Sequence, residues 1–327
     1  MKKIKWGVLG TAFICERSTL PGMLQADNCV MYAIAGRSME KAESFREKYG
    51  FEKAYGSYEE LLEDPEVEAV YIPLPNTLHY EWTIKALNRK LHVLCEKPMA
   101  PTAAQVREMF QAARDNNVFL MEAFAYQHSP YISAIKSDID SGIIGDIRYI
   151  ESAYITSDYD KSNIRMRRDS LGGCTYDLGV YNTSLILRML GEEPETIKAV
   201  SSFSKEGIDT YTSVLMEYAD GKKAAFSCGM VLETNLDRHI DRFEIQGTKG
   251  SVIGTGFEFN GDGDLSYTVR YFDGTEEVKV VSTPQNYRLE VEQLGRCIAE
   301  GETPAVSEDF SIMNANMIDR ILKEIGY

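Results

Sequence analysis

Through the first 120 or so residues, short apolar or β-branched runs alternate with stretches of helical periodicity, and no other feature restricts the chain as much. Ile4–Leu9, Val30–Ala35, Ala69–Pro73, His92–Cys95 and Val118–Met121 read as five strands. Between them Ala42, Phe45 and Tyr49 fall at i, i+3, i+7. Val106, Met109, Phe110 and Ala113 fall at i, i+3, i+4, i+7, so each helix has one apolar stripe to bury on a sheet. Asn76 and Thr102 stand where N-caps of helices over Thr77–Lys90 and Ala103–Asn116 belong. Strands joined by crossover helices make a parallel sheet, so this half is expected to be doubly wound α/β.

After about residue 122 the texture changes. A helix over Pro130–Asp140 leads to a strand over Ile147–Ile155, a loop with Arg165, Arg167 and Arg168, and a helix near Tyr176–Leu190. Strand-like runs follow, among them Thr212–Tyr218, Ala224–Cys228, Phe243–Gln246, Ser251–Gly254 and Val278–Val281, punctuated by Asp220-Gly221 and Asp273-Gly274 turns. That order predicts a large, mostly antiparallel open sheet. Val291, Leu294 and Ile298, then Ile318, Ile321, Leu322 and Ile325, mark two closing helices. With 327 residues the chain exceeds what one core of ~250–300 residues fills. Two domains are expected: a doubly wound α/β domain over 1–122 and an α+β domain over 123–327.

Composition removes several function classes. No stretch approaches the roughly 20 apolar residues of a membrane helix, and the apolar run after Met1-Lys2-Lys3 is too short for a signal peptide, so a cytoplasmic location is expected. Fifty acidic against 35 basic residues give a net charge of −15, which opposes attraction to nucleic acid or an anionic membrane. Six cysteines without a CxxC pair read as free thiols, and four histidines without ligand spacing predict no metal.

The first strand runs into Gly10-Thr11-Ala12-Phe13-Ile14-Cys15. In the GxGxxG scheme the three glycines make the turn, admit the pyrophosphate and let the helix pack closely. Only Gly10 remains here, with Ala12 and Cys15 at the other two positions. The second strand ends at Ala35-Gly36-Arg37-Ser38, with no acid to accept from a ribose 2′-hydroxyl. Arg37 instead offers a planar cation suited to a 2′-phosphate, with Ser38 as a phosphate contact and N-cap, so NADP is favoured over NAD.

These pieces, with Pro73-Leu74-Pro75-Asn76 and His79, Glu96-Lys97-Pro98, His128 before Ser129-Pro130, and the run GGCTYDLGVY from Gly172 to Tyr181, stand in a recognisable order. Over essentially the whole chain they resemble the glucose–fructose oxidoreductase, inositol dehydrogenase and rhizopine catabolism (Gfo/Idh/MocA) family, with the flavour of its dihydrodiol dehydrogenase branch. The resemblance implies hydride transfer between a nicotinamide nucleotide and a secondary alcohol or ketone of a sugar, cyclitol or trans-diol, in a homodimer or homotetramer formed through the second domain's sheet. It implies cofactor contacts from Gly10, Thr11, Ala12, Phe13, Ile14, Arg37, Ser38, Leu74, Pro75, Asn76, His79, Glu96 and Lys97. Substrate contacts are implied for Lys97, Tyr126, His128, Arg165, Arg167, Asp177 and Tyr181. Pro98 is expected to follow a cis peptide bond, as the family often has it.

Lys97, Asp177 and Tyr181 are the expected catalytic residues. Lys97 ends a strand at the carboxyl edge of the sheet, where open α/β folds bind ligands. Asp177 and Tyr181, four apart on a helix, share a polar stripe with Ser184 and Arg188. Many family members carry His at the position of Tyr181. A phenol, with a pKa near ~10, suits proton donation to a forming alkoxide, which leaves open whether Lys97 or Tyr181 transfers the proton. Arg165 and Arg167 meet either substrate or surface acids, and His128 either substrate or backbone. Two other uses of the same parts stand beside the dehydrogenase: a redox-neutral NAD-dependent glycosidase and a non-catalytic dinucleotide-sensing regulator.

Overall fold

The structure is a computed structural model that describes residues 2–157, 159–232, 239–255, 257 and 262–327. Six short strands, β1 (Ile4–Leu9), β2 (Cys29–Ala35), β3 (Lys53–Tyr55), β4 (Ala69–Ile72), β5 (His92–Glu96) and β6 (Leu120–Ala123), form a wholly parallel sheet. Its order is β3-β2-β1-β4-β5-β6, which reverses direction beside β1 as a doubly wound sheet must. Val8, Leu9, Ala33, Ile34, Val70, Tyr71, Val93 and Leu94 are fully or almost fully buried, as strands covered on both faces require. Helices α1 (Leu20–Gln25), α2 (Met39–Tyr49), α3 (Tyr58–Leu62), α4 (Asn76–Asn88) and α5 (Ala103–Asn116) make the crossovers. The predicted stripes face inward: Ala42, Phe45 and Tyr49 on α2, and Val106, Met109, Phe110 and Ala113 on α5.

Two expectations shift. The last strand begins at Leu120 rather than Val118, because Asn117 is left-handed and the Val118 amide closes α5 on the Ala113 carbonyl. Thr102 caps α5 as expected, but Asn76 is the first residue of α4, and the cap position falls to Pro75 without a side-chain cap. β3, three residues long at the sheet edge, was too short to show a period.

The chain divides into two compact units, the first taking Met1–Ser129 with Pro284–Ser311, the second the greater part of 130–283 with Ile312–Tyr327. The chain therefore returns to the first unit through α8 (Asn286–Glu300), a helix that linear reading puts in the second domain. The second unit holds α6 (Pro130–Asp140), α7 (Val180–Leu190), most of α9 (Glu308–Ile325), and strands β7 (Ile147–Ser157), β8 (Thr196–Phe203), β9 (Asp209–Glu217), β10 (Lys223–Leu232), β11 (Ile240–Gly247), β12 (Gly250–Gly254), β13 (Gly263–Tyr271) and β14 (Glu276–Thr283). They form one sheet, β14-β13-β12-β11-β7-β10-β9-β8, antiparallel except for the β7–β10 pair. Lys198, Leu215, Ala225, Glu151, Glu244, Ile253, Thr268 and Val278 pair in one row across it, and none is buried. The adjacent row on the other face includes Val214, Phe226, Ser152, Phe243 and Tyr267, all buried. One face is thus core and the other is open.

Candidate active site

In the nucleotide-binding unit, β1 delivers the chain to Gly10, whose φ of +135° is a conformation that favours glycine. The helix that follows runs over 13–25 and contains a π-turn at Cys15–Thr19. Cys15 takes the third glycine position and is fully buried, its thiol directed to the Gly10 carbonyl at 3.9 Å. Thr11, Ala12 and Ile14 are half-buried and Phe13 is 72% exposed, which leaves the outer side of the turn open. Gly36 ends β2 against Thr11. Arg37 is exposed, with its charge felt by Tyr58, and no acid stands in its place. Ser38 accepts from the Lys41 amide as the cap of α2, and its hydroxyl hydrogen stays available to an anion.

Lys97 is half-buried directly after β5. The Lys97–Pro98 peptide bond is cis. Several buried groups hold this turn. The Lys97 amide donates to Glu96 Oε2 at 3.2 Å, and Glu96 Oε1 accepts from the Tyr71 hydroxyl at 2.6 Å. Glu122, on the neighbouring β6, accepts from the Met99 amide at 2.9 Å. His79 lies between the carbonyl oxygens of Leu74 at 2.7 Å and Pro98 at 2.8 Å. The Glu122 carboxyl is pushed up to about 7, chiefly by burial, which the Ser311 hydroxyl and the hydrogen bond from the Met99 amide oppose, with Glu96 adding to the rise and Lys97 opposing it. Burial also lowers the affinity of His79 for a second proton, and the Lys97 charge acts the same way. Glu290, fully buried on α8, is held far above the carboxylate range by desolvation and by Glu96.

The second unit carries its own cluster. Gly172 and Gly173 turn the chain into a helix over 174–190 that opens with a π-turn at Thr175–Gly179 and continues as α7. Asp177 lies in the π-turn and accepts from Arg165 Nε at 2.7 Å. That carboxylate is the main reason the Arg165 guanidinium is held more firmly protonated, with Tyr159 and Tyr181 acting in the same sense. Arg165 also stands over the Tyr159 ring, 5.2 Å from its centroid. The Tyr181 ring packs against Tyr154 and Phe257, each at 5.7 Å between centroids.

Several expected site residues take other places. His79 is buried with both ring nitrogens on backbone carbonyls, so its side chain braces the Lys97 turn. Glu96 is spent on Tyr71 and the Lys97 amide inside the core. Tyr126 is 1% exposed, its hydroxyl taking the Gln127 side-chain amide, which places it in the core. Arg167 pairs with Asp169 on the surface. His128 is half-buried at the end of a 3-10 turn. The four-residue stripe is interrupted at Ser184, which is buried and donates to the Tyr181 carbonyl, while Asp177, Tyr181 and Arg188 are half-buried. Tyr154, Tyr159 and Phe257 were missed. They alternate or stand alone in the sequence and look like any sheet aromatic.

A glycine turn on the first strand of a doubly wound sheet, an unopposed arginine after the second and a lysine after the fifth in order define a nucleotide-binding α/β protein. More particularly, the chain belongs to the GFO/IDH/MocA oxidoreductase family: the family's NAD-binding Rossmann model matches residues 4–124 and its C-terminal domain model residues 132–253. It is 31% identical to a trans-1,2-dihydrobenzene-1,2-diol dehydrogenase of Xenopus laevis, over 98% of both chains. It is 33% identical to an NADP(+) D-xylose 1-dehydrogenase of Haloferax volcanii, over 97% of this chain and 95% of that one. A 3-ketoreductase from Actinomadura kijaniata, solved with NADP and TDP-benzene, superposes with a TM-score of 0.91 at 28% identity, over 99% of this chain and 98% of the other.

Proposed function

We propose that this protein is an NADP(H)-dependent dehydrogenase or reductase acting on a secondary hydroxyl or ketone of a sugar, cyclitol or trans-diol. The observation that carries the reading is the setting of Lys97, half-buried on a turn gripped by Glu96, Glu122 and His79 at the carboxyl edge of a nucleotide-binding sheet. The residues present fit a dinucleotide: the Gly10 turn is open on its outer side and Arg37 is exposed beside it. Gly10, Thr11, Ala12, Phe13 and Ile14 would hold the pyrophosphate side, Arg37 and Ser38 the 2′-phosphate, and Leu74, Pro75 and Asn76 the remainder. The nicotinamide supplies hydride exchange at its C4.

Lys97 holds the reacting oxygen of the substrate through its ammonium, Tyr181 gives or takes the proton at its phenolic oxygen, and Asp177, paired with Arg165, orients the substrate hydroxyls. Relatives named for a trans-dihydrodiol, D-xylose and a dideoxy-sugar ketone support a polyhydroxylated ring as substrate. The open face of the second sheet, with Val200, Leu215, Val278 and Val280 each more than 60% exposed, supports a homodimer or homotetramer formed there. Six free thiols support a reducing, cytoplasmic setting.

The test is a thermal-shift titration with NADP+ and NAD+, since a ligand of the folded state raises apparent stability with its concentration. NADP+ is expected to stabilise at lower concentration, and Arg37→Ala to weaken it by about 10- to 50-fold while leaving NAD+ unchanged, the worth of a charge-assisted contact. A panel of D-xylose, myo-inositol and trans-1,2-dihydrobenzene-1,2-diol then reads nicotinamide absorbance. Bound cofactor with no reduction by any polyol or sugar counts against the dehydrogenase reading.

A further inference from the structure

Asp209 opens β9 and is completely buried, yet it lies at the helix that carries Asp177 and Tyr181. Its Oδ2 accepts from the Thr175 amide at 2.8 Å, the Thr212 hydroxyl at 3.2 Å and the Cys174 thiol at 3.2 Å. The Thr175 amide is a first-turn donor of the helix over 174–190, which needs an acceptor from outside the helix. A carboxylate there also meets the positive end of the peptide dipoles. The side chains around it complete the grip: Thr175 Oγ1 donates to Thr212 Oγ1 at 3.2 Å, and Cys228 on β10 lies 3.7 Å from Cys174, sulfur to sulfur.

The same carboxylate explains the Gly-Gly pair. A Cβ on Gly173 would fall 1.9 Å from Asp209 Oδ1, and one on Gly172 2.3 Å from the Arg165 carbonyl. Gly173 also has a φ of +112°, a region that favours glycine. Gly172 and Gly173 are therefore the space that lets a strand carboxylate and the Arg165 segment close on the start of the helix. The Gly173 amide donates to the Arg165 carbonyl at 2.8 Å, so the grip extends to the residue that pairs with Asp177.

We infer that Asp209 is a positioning residue that fixes the Thr175–Gly179 turn, and through it Asp177, Arg165 and Tyr181, by accepting the Thr175 amide. The inference rests on the proposed roles of Asp177 and Tyr181. Asp209→Ala removes the acceptor. With NADP+ and whichever of D-xylose or trans-1,2-dihydrobenzene-1,2-diol the wild type oxidises, kcat/KM is expected to fall about 30-fold, the scale of a buried charge-assisted bond. NADP+ affinity is expected to stay within twofold of wild type. Hydrogen–deuterium exchange, which needs no substrate, is expected to rise at least tenfold over 174–181 and to stay unchanged in β1–β6. Asp209→Asn keeps one acceptor oxygen and is expected to restore kcat/KM to within threefold. If Asp209→Ala does not fold, Asp209→Ser replaces it, with a loss of at least fivefold and the same local exchange required.

Wild-type exchange over 174–181 in the alanine or serine variant overturns the inference, and so does an asparagine variant as damaged as alanine. Asp177→Asn and Tyr181→Phe separate the two readings. If both keep full activity, the proposed roles of the cluster fail. If they lose activity while Asp209→Ala does not, only the positioning role fails.

Discussion

Two turns carry the residues proposed for the chemistry of this protein, and both are held by a buried carboxyl from a strand. At the turn after β5, Glu122 on β6 takes the Met99 amide, two residues beyond Lys97. At the turn before α7, Asp209 on β9 takes the Thr175 amide, two residues before Asp177. Their surroundings differ. Glu122 shares its interior with the buried carboxyls Glu96 and Glu290 and feels the Lys97 cation, and desolvation brings it up to about 7. Asp209 has three donors, which oppose a burial penalty that still raises it. The first grip is therefore sensitive to protonation near neutrality, whereas the second depends on the geometry of its donors.

The largest contrast should come from removing the groups proposed to react. Lys97→Met is expected to lower kcat/KM by about 10³-fold or more and Tyr181→Phe by about 10²-fold, within the range of acid–base groups. Steady-state rates with thermal shifts as a control for folding check this, and full activity in Tyr181→Phe would remove Tyr181 as the proton-transfer group. Next is the protonation of Glu122. Its folded pKa lies above its unfolded value of about 4.5, so the stability it contributes is present below pH 4.5 and is lost as pH rises toward 7. The loss is roughly 3 kcal/mol at 1.36 kcal/mol per unit. Urea unfolding at pH 5 and 7.5 is expected to show that slope in the wild type and a flatter one in Glu122→Gln; identical slopes would remove Glu122 as the sensitive group.

Smaller effects separate the two arginines of the loop. Arg165→Ala breaks a half-buried pair with Asp177 and is expected to cost about 20-fold in kcat/KM. Arg167→Ala breaks an exposed pair with Asp169 and is expected to change kcat/KM less than twofold. Equal losses at both positions would show that Arg167 also meets substrate.

Local chemistry announced one of these turns better than the other. Glu96-Lys97-Pro98 follows an apolar strand, so its place at a sheet edge followed from the strand itself, and Gly10 and Arg37 followed in the same way from β1 and β2. The helix of Asp177 and Tyr181 was also visible, but its phase was not. The π-turn at Thr175–Gly179 is fixed by packing and no period in the side chains records it, and of the expected stripe Ser184 is core while Asp177, Tyr181 and Arg188 are half-buried. His79 and Glu96 look like ligands because they are polar beside a motif. Only their partners, the carbonyls of Leu74 and Pro98 and the hydroxyl of Tyr71, show them to be braces.

By itself the sequence determined the parallel sheet, the larger antiparallel one, and the order in which Gly10, Arg37, Lys97, Asp177 and Tyr181 occur, because hydrophobic period and turn residues act over a few neighbours. Tertiary structure alone decided that α8 returns to the first unit, that Glu122 and Asp209 grip turns 23 and 34 residues away, and that Arg165 rather than Arg167 meets Asp177. Those choices depend on which donor is left unpaired when distant segments pack, and a buried amide without an acceptor costs too much to leave unmet.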